Sequence, residues 1–383
     1  MLEFKVQPFC LGKGLILLLI LVFSLTLSAC SDAPVKIGFS GTLKGKYSDL
    51  GVQGRNGALL AVEEINDAGG LDGRKLELLV RDDLNTPEGA VKADKELVAA
   101  GVSAILGHMT SSQSLAAIGE MKDSGVLYIS PTTSTPLLQG IKDNFFRVIP
   151  TLSELSKGLA EYSTGKLGMK RLAVIWDTSN KAFTVPYKDV FISTFEENGG
   201  KLVGEARIGK QKDNVDWQKV VEELKAVKPD VVVMVTSARD LAAFAQYCKI
   251  NKTDWTIASS MWAFTKELVQ TGGKSVEGVL FVVHFAEDNA APGYNEFKQK
   301  FIDRYGWAPN FAAVFGYQAV QVFAEAVRLN GGSTKGLDKI IPGISFDTSI
   351  IGPFSIDDFG DVKGVGHIVF VKNGEFVTVA RGE

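Results

Sequence analysis

Residues 230–236 read DVVVMVT, and this run decides the class of fold. A strand with one face in water alternates apolar and polar side chains. A strand covered on both faces does not, and such strands belong to parallel sheets flanked by helices. The neighbours agree. Residues 240–249 have helical spacing and 255–258 return as strand. Upstream, RLAVIW at 171–176 and the segment 201–208 read as strands. Helices are predicted over 153–167, 186–198 and 215–227. Pro186 suits a first helical turn, and Gly199-Gly200 closes that helix. A similar set precedes this one. Strands at 35–39, 75–81, 102–106 and 126–129 alternate with helices at 56–67, 87–100 and 111–124. Such alternation implies βαβ units. The expectation is an α/β protein of two doubly wound parallel-sheet lobes meeting near 147–151. Residues 279–383 are too few for a third lobe and are expected to return and complete both.

The N-terminus carries a different signal. Lys5 and Lys13 precede an apolar run at 14–29, GLILLLILVFSLTLSA, and Cys30 follows. A basic start, an apolar stretch and small residues before a cut make a secretory signal. The tetrad Leu27-Ser28-Ala29-Cys30 resembles the lipobox of bacterial lipoproteins. That resemblance implies lipidation at Cys30 and an extracytoplasmic, membrane-anchored protein. A transmembrane anchor is the competing reading, but the run falls short of the roughly 20 residues a spanning helix needs.

Lys and Arg total 41 against 44 Asp and Glu, a net charge of −3. With no basic block, nucleic acid is not an expected partner. The three cysteines are Cys10, Cys30 and Cys248. Loss of the signal and acylation of Cys30 leave Cys248 alone, as a small buried side chain.

Several chemical signatures fail. GTLKGKY at 41–47 has the wrong glycine spacing for a phosphate loop, and Tyr47 stands where a hydroxyl should hold magnesium. There is no HExxH, CxxC or GxSxG, so no metal, cofactor or catalytic nucleophile is expected. What remains are hydroxyl-rich strand ends. The strand at 102–106 exits into GHMTSS, and that at 126–129 into SPTTS. Ligands of open parallel sheets bind beyond the carboxyl ends of the strands. Ser111 also begins a helix, whose free N–H groups attract anions. Simple N-capping by Ser111 and Ser134 is the alternative.

Many short pieces in order carry a family likeness. They include Lys36-Ile37-Gly38, GALLAVEEINDAGGLDG at 57–73, Arg81-Asp82-Asp83, Gly107-His108 and Ser130-Pro131. Further on come Arg171-Leu172-Ala173-Val174, Val276-Glu277-Gly278 and Gly352-Pro353. From about residue 35 to its end, the chain resembles the type I periplasmic binding proteins, in the leucine/isoleucine/valine-binding branch of ABC importer receptors. The resemblance implies two lobes joined by a three-segment hinge, with crossovers near Pro150, Val283 and Pro353. The implied division is a signal at 1–29, a linker at 30–34, one lobe of 34–149 plus 284–352, and another of 150–283 plus 353–383. It implies a monomer that passes a small carboxylate ligand, a branched-chain or other apolar amino acid or an aromatic acid, to a membrane permease, with a small amide or other non-amino-acid solute as the alternative. Ser111, Thr132 and Ser134 would take the carboxylate. Leu50, Phe183, Ser237, Met261 and Trp262 would line the rest. Asn85 and Thr110 stand where some members have a disulfide.

One departure bears on the ligand. Amino-acid binders of the family place an acidic residue near position 261, where this chain has Met261. A ligand ammonium would then be met by Asp240 or Asp177, or the ligand has none. A ligand sensor for a signalling partner and an enzyme on the same scaffold are the rival functions.

Overall fold

The computed structural model describes residues 1, 3, 33–209, 215–289, 291–347 and 349–379. The apolar run at 14–29 and Cys30 lie outside them. No described helix is long and apolar enough to cross a membrane.

The first sheet uses β1 (Val35–Gly41), β2 (Leu76–Asp82), β3 (Ala104–Gly107), β4 (Leu127–Ser130) and β5 (Phe145–Arg147). Their order is β2-β1-β3-β4-β5, and every pairing is parallel. Helices α1 (Ser48–Asp67), α2 (Pro87–Ala99) and α3 (Ser111–Met121) connect them.

The second half continues with α4 (Leu152–Gly165), β6 (Arg171–Asp177), α5 (Lys181–Glu197), β7 (Lys201–Ile208) and α6 (Trp217–Val227). Then come β8 (Val231–Val235), α7 (Ala238–Ile250), β9 (Thr256–Ser259), α8 (Lys266–Gly272) and β10 (Leu280–Val283). The chain next returns to the first lobe with α9 (Tyr294–Tyr305) and α10 (Phe311–Leu329). It ends with β11 (Ser345–Phe346), β12 (Phe354–Ser355), β13 (His367–Lys372) and β14 (Glu375–Thr378). The second sheet has the order β14-β13-β10-β9-β8-β6-β7. It is parallel from β10 to β7, while the hairpin β13–β14 adds an antiparallel edge. The decisive run at 230–236 is the middle strand of its parallel part: all five residues of β8 are fully buried.

Two helices begin earlier than their sequence predicts. α1 starts at Ser48, not near residue 56, because Gly51 packs against the Thr42 backbone and Gly54 and Gly57 form a contact surface for α10. A methyl on Gly57 would lie 1.9 Å from the Ala313 carbonyl oxygen of α10, and one on Gly316 2.3 Å from the Gly54 carbonyl. The glycines let the two helices touch backbone to backbone, which offsets their poor helix propensity. α5 starts at Lys181, not at Pro186. Its first turn is held from outside. The Ala182 N–H donates to Ser112 Oγ at 3.1 Å, and Thr184 Oγ1 donates to the Asp177 carbonyl at 2.9 Å. These bonds keep the turn formed although Pro186 lacks an N–H.

The third crossover also differs from the expectation at Pro353. Residues 343–347 and 349–362 form a strap on the first lobe. The Gly343 N–H donates to the Ile356 carbonyl at 2.9 Å, and the Arg147 N–H of β5 to the Gly360 carbonyl at 3.0 Å. Asp361 then meets the fully buried Arg147, with Nε donating to Oδ1 at 2.7 Å. Only between Val362 and His367 does the chain pass to the second sheet. The buried guanidinium needs a counter-charge, and the strap brings it.

Candidate functional site

The site is built on the C-terminal ends of β3 and β4, and the hydroxyl-rich loops there have two tasks. The first is structural. His108 is fully buried between two carboxylates, with Nδ1 3.1 Å from Asp83 Oδ2 and Nε2 3.1 Å from Asp94 Oδ2. Thr42 donates to Asp83 at 2.6 Å and Tyr128 to Asp94 at 2.7 Å. Burial alone would lower the His108 pKa, but the flanking acids outweigh it and hold the imidazole charged, at about 10. The His108 carbonyl accepts from Ser130 Oγ at 3.0 Å and Thr133 Oγ1 at 3.1 Å. Thr132 Oγ1 donates to the Met109 carbonyl at 2.7 Å. These bonds fix residues 108–111 against the loop from β4.

The second task is to face the cleft. Thr110, not Ser111, is the N-cap residue of α3, and its hydroxyl pairs with Gln113. Ser111 is thus the first helical residue, in the turn whose N–H groups have no partner within the helix. Ser134 is not a cap either. Thr135 caps the short turn that follows, accepting from the Leu137 N–H. Both serines therefore keep hydroxyls outside any helix cap.

From the opposite lobe come the ends of β6 and β9. Asn180 and Phe183 arrive on the start of α5, Met261 and Trp262 on a turn after β9. Phe183 meets Trp262 edge-on, with ring centres 6.1 Å apart, and Tyr47 stacks on Trp262 at 6.0 Å. The lobes are closed on each other. The Ser112 N–H donates to Asn180 Oδ1 at 3.0 Å, and the Ala182 bond to Ser112 runs beside it.

Between these walls lies a cavity with about 330 Å³ of empty space, its mouth included. The first-lobe side presents Thr110, Ser111, Thr132 and Ser134, flanked by Leu50, Met109, Ile149 and Phe311. Asn180, Phe183, Met261 and Trp262 close the other side. Among the described residues, no charged side chain lines it.

Seven of the eight expected residues thus border one cavity. Ser237 does not. It caps α7, accepting from the Asp240 N–H while its hydroxyl donates to Asp240 Oδ2 at 2.8 Å. A serine just before a helix satisfies free N–H groups, and that demand won here. Asp177 and Asp240 do not line the cavity either. Asp177 Oδ2 takes the Tyr47 O–H at 2.7 Å, and Lys46 Nζ lies 2.7 Å from Asp240 Oδ1. Sequence reasoning missed Met109, Thr110, Ile149, Asn180 and Phe311. Asn180 follows a strand end as Ser111 does, so the same rule could have found it. Phe311 begins a helix that returns from far along the chain, and no local pattern announces its place. Among the described residues, no cluster of His, Cys, Asp and Glu is placed to hold a metal.

A two-lobed α/β fold with a cleft at the strand ends is the architecture of a known family. The model of that family, periplasmic binding protein, matches residues 34–369. The chain belongs to the periplasmic binding protein family. Among its relatives is the "Leu/Ile/Val-binding protein homolog 1" of Brucella suis, 26% identical over 363 residues, covering 90% of this chain and 91% of the relative. A leucine binding protein from Thermotoga maritima has the same fold, with a TM-score of 0.81 at 24% identity over 90% of this chain and 98% of the other. So does a solute binding protein from R. palustris, solved in complex with benzoate. Its TM-score is 0.81 at 21% identity, over 90% of this chain and 95% of the other. Within the periplasmic binding protein family this is a type I member, like the leucine/isoleucine/valine binders.

Proposed function

We propose that this protein is an extracytoplasmic solute receptor of an ABC importer, and that its ligand is a small carboxylate with an aromatic or apolar body and no ammonium group. One observation carries the ligand class. The cavity sets hydroxyls and a helix start against Phe183, Met261 and Trp262, with no acidic side chain on its wall. An amino acid closed inside would bury its ammonium without a counter-charge, which costs several kcal/mol. A carboxylate is met by Ser111, Ser134 and the N–H groups that open α3, while an aromatic ring fits against Trp262 and Phe183. Closure excludes water and strengthens these contacts, and the ligand selects the closed form because only that form touches it from both sides. The closed surface would then be read by a permease, and Cys30 would hold the receptor to the membrane by lipid.

The names of the relatives favour a second ligand class, aliphatic amino acids. Thermal unfolding separates the two. Benzoate at 100 times its dissociation constant is expected to add about 2.7 kcal/mol to stability, and leucine at the same concentration to add nothing. A shift with leucine alone would refute the reading that the ligand lacks an ammonium group. Calorimetry checks the contact residue. Ser111→Ala is expected to weaken benzoate by about 1–3 kcal/mol, since a partner of a buried charge is lost. Unchanged affinity removes Ser111 from the site.

A further inference from the structure

Two buried carboxylates take no part in the cavity. Asp177 ends β6, and Asp240 lies in the first turn of α7, just after β8. These strands are adjacent, with Trp176 beside Val235. The acids thus stand at neighbouring strand tips, on the side that the second lobe turns to the first. Each is met by one group of its own lobe. Asp177 Oδ1 accepts from the Ser179 N–H at 2.6 Å, and Asp240 Oδ2 from the Ser237 hydroxyl at 2.8 Å. The second oxygen of each is met from the opposite lobe, by Tyr47 O–H and Lys46 Nζ, both at 2.7 Å. Asp177 is fully buried and Asp240 nearly so. Two carboxylates at adjacent strand tips, withdrawn from water, make a slot that favours a cation. Tyr47, whose O–H meets Asp177, stacks on Trp262, and the Trp262 ring lines the cavity.

We propose that Lys46 is a specificity-determining residue. On closing, it caps Asp240 with the protein's own ammonium while the Tyr47 hydroxyl caps Asp177, and the Tyr47 ring backs Trp262 of the cavity wall. No carboxylate is then left for a ligand's ammonium, so the closed form takes acids and refuses amino acids. This rests on the carboxylate reading above.

Calorimetry with benzoate and phenylalanine on three proteins tests it. Wild type is expected to bind benzoate and not phenylalanine. Lys46→Ala is expected to bind benzoate about tenfold more weakly, because closing now buries Asp240 unpaired. Methylammonium chloride should restore most of that affinity by filling the slot, where equal sodium chloride does not. In the double variant Lys46→Ala/Tyr47→Ala, the cavity opens onto the acids. The benzoate-to-phenylalanine preference should then fall by about tenfold or more, as a newly paired charge requires. Lys46→Arg, which keeps the charge, should retain the preference. Wild-type benzoate affinity in Lys46→Ala, a loss that methylammonium leaves in place, or an unmoved preference in the double variant each overturns the proposal. A wild type that prefers phenylalanine overturns the carboxylate reading and this proposal with it.

Discussion

Replacing Asp361 with alanine is expected to destabilise the protein by about 3–5 kcal/mol, the usual cost of stranding one partner of a buried ion pair. Arg147 is fully buried at the end of β5. Its Nε donates to Asp361 Oδ1 at 2.7 Å and its Nη1 to the Thr135 carbonyl at 2.8 Å. The Gly140 N–H donates to Asp361 Oδ2 at 2.7 Å. Burial pulls the Arg147 pKa down and Asp361 holds it up, so the carboxylate keeps the guanidinium charged. Without it, a cation stays in the core and the strap loses its anchor. The denaturation midpoint in urea checks this. The double variant Arg147→Met/Asp361→Leu is expected to recover much of the loss, since apolar groups of similar volume need no partner. Asp361→Ala with a wild-type midpoint would show that the pair contributes nothing.

The second large effect lies behind the cavity. His108 is raised from an ordinary value near 6.5 to about 10 by Asp94 and Asp83, against the opposing effect of burial. A group whose folded pKa exceeds its unfolded value stabilises fully below the unfolded value and loses that contribution as pH rises towards the folded one. Wild-type stability is therefore expected to fall between about pH 7 and pH 10, by up to roughly 1.4 kcal/mol per pH unit. His108→Gln, which cannot titrate, is expected to lack this slope. It should also be less stable at pH 7 by about 3–5 kcal/mol, because Asp83 and Asp94 lose a buried cation. Denaturation midpoints across that range read both effects. A wild-type profile flat from pH 7 to pH 10 would mean that the imidazole is neutral when folded.

Legibility in the sequence followed the range of each interaction. The β-branched run at 230–236 is a local pattern, and burial on both faces is its direct cause. The alternation of strands and helices around it is equally local, so the α/β class and the two lobes could be read. Boundaries failed where a residue served a distant partner. Gly54 and Gly57 read as poor helix formers until α10 is laid against them, and Pro186 looks like a helix start until Ser112 is seen holding the preceding turn. The strap is invisible without the buried charge of Arg147. In the site, the strand-end rule drew attention to Ser111 and Ser134 from a general property of parallel sheets. It could not separate Ser237, which caps its helix, from residues that face the cavity. Nor could it pair Lys46 with Asp240, because ion pairs between lobes leave no spacing to read.

The helix contact at Gly57 has a consequence for how the molecule is made. α1 ends at Asp67, yet the surface that covers it begins at Phe311. A fragment stopping near residue 150 would hold five strands and an uncovered apolar helix, with the Arg147 charge unmatched. Neither half is therefore separable as a continuous piece of polypeptide. A chain emerging from the ribosome cannot complete either one until most of it has been synthesised.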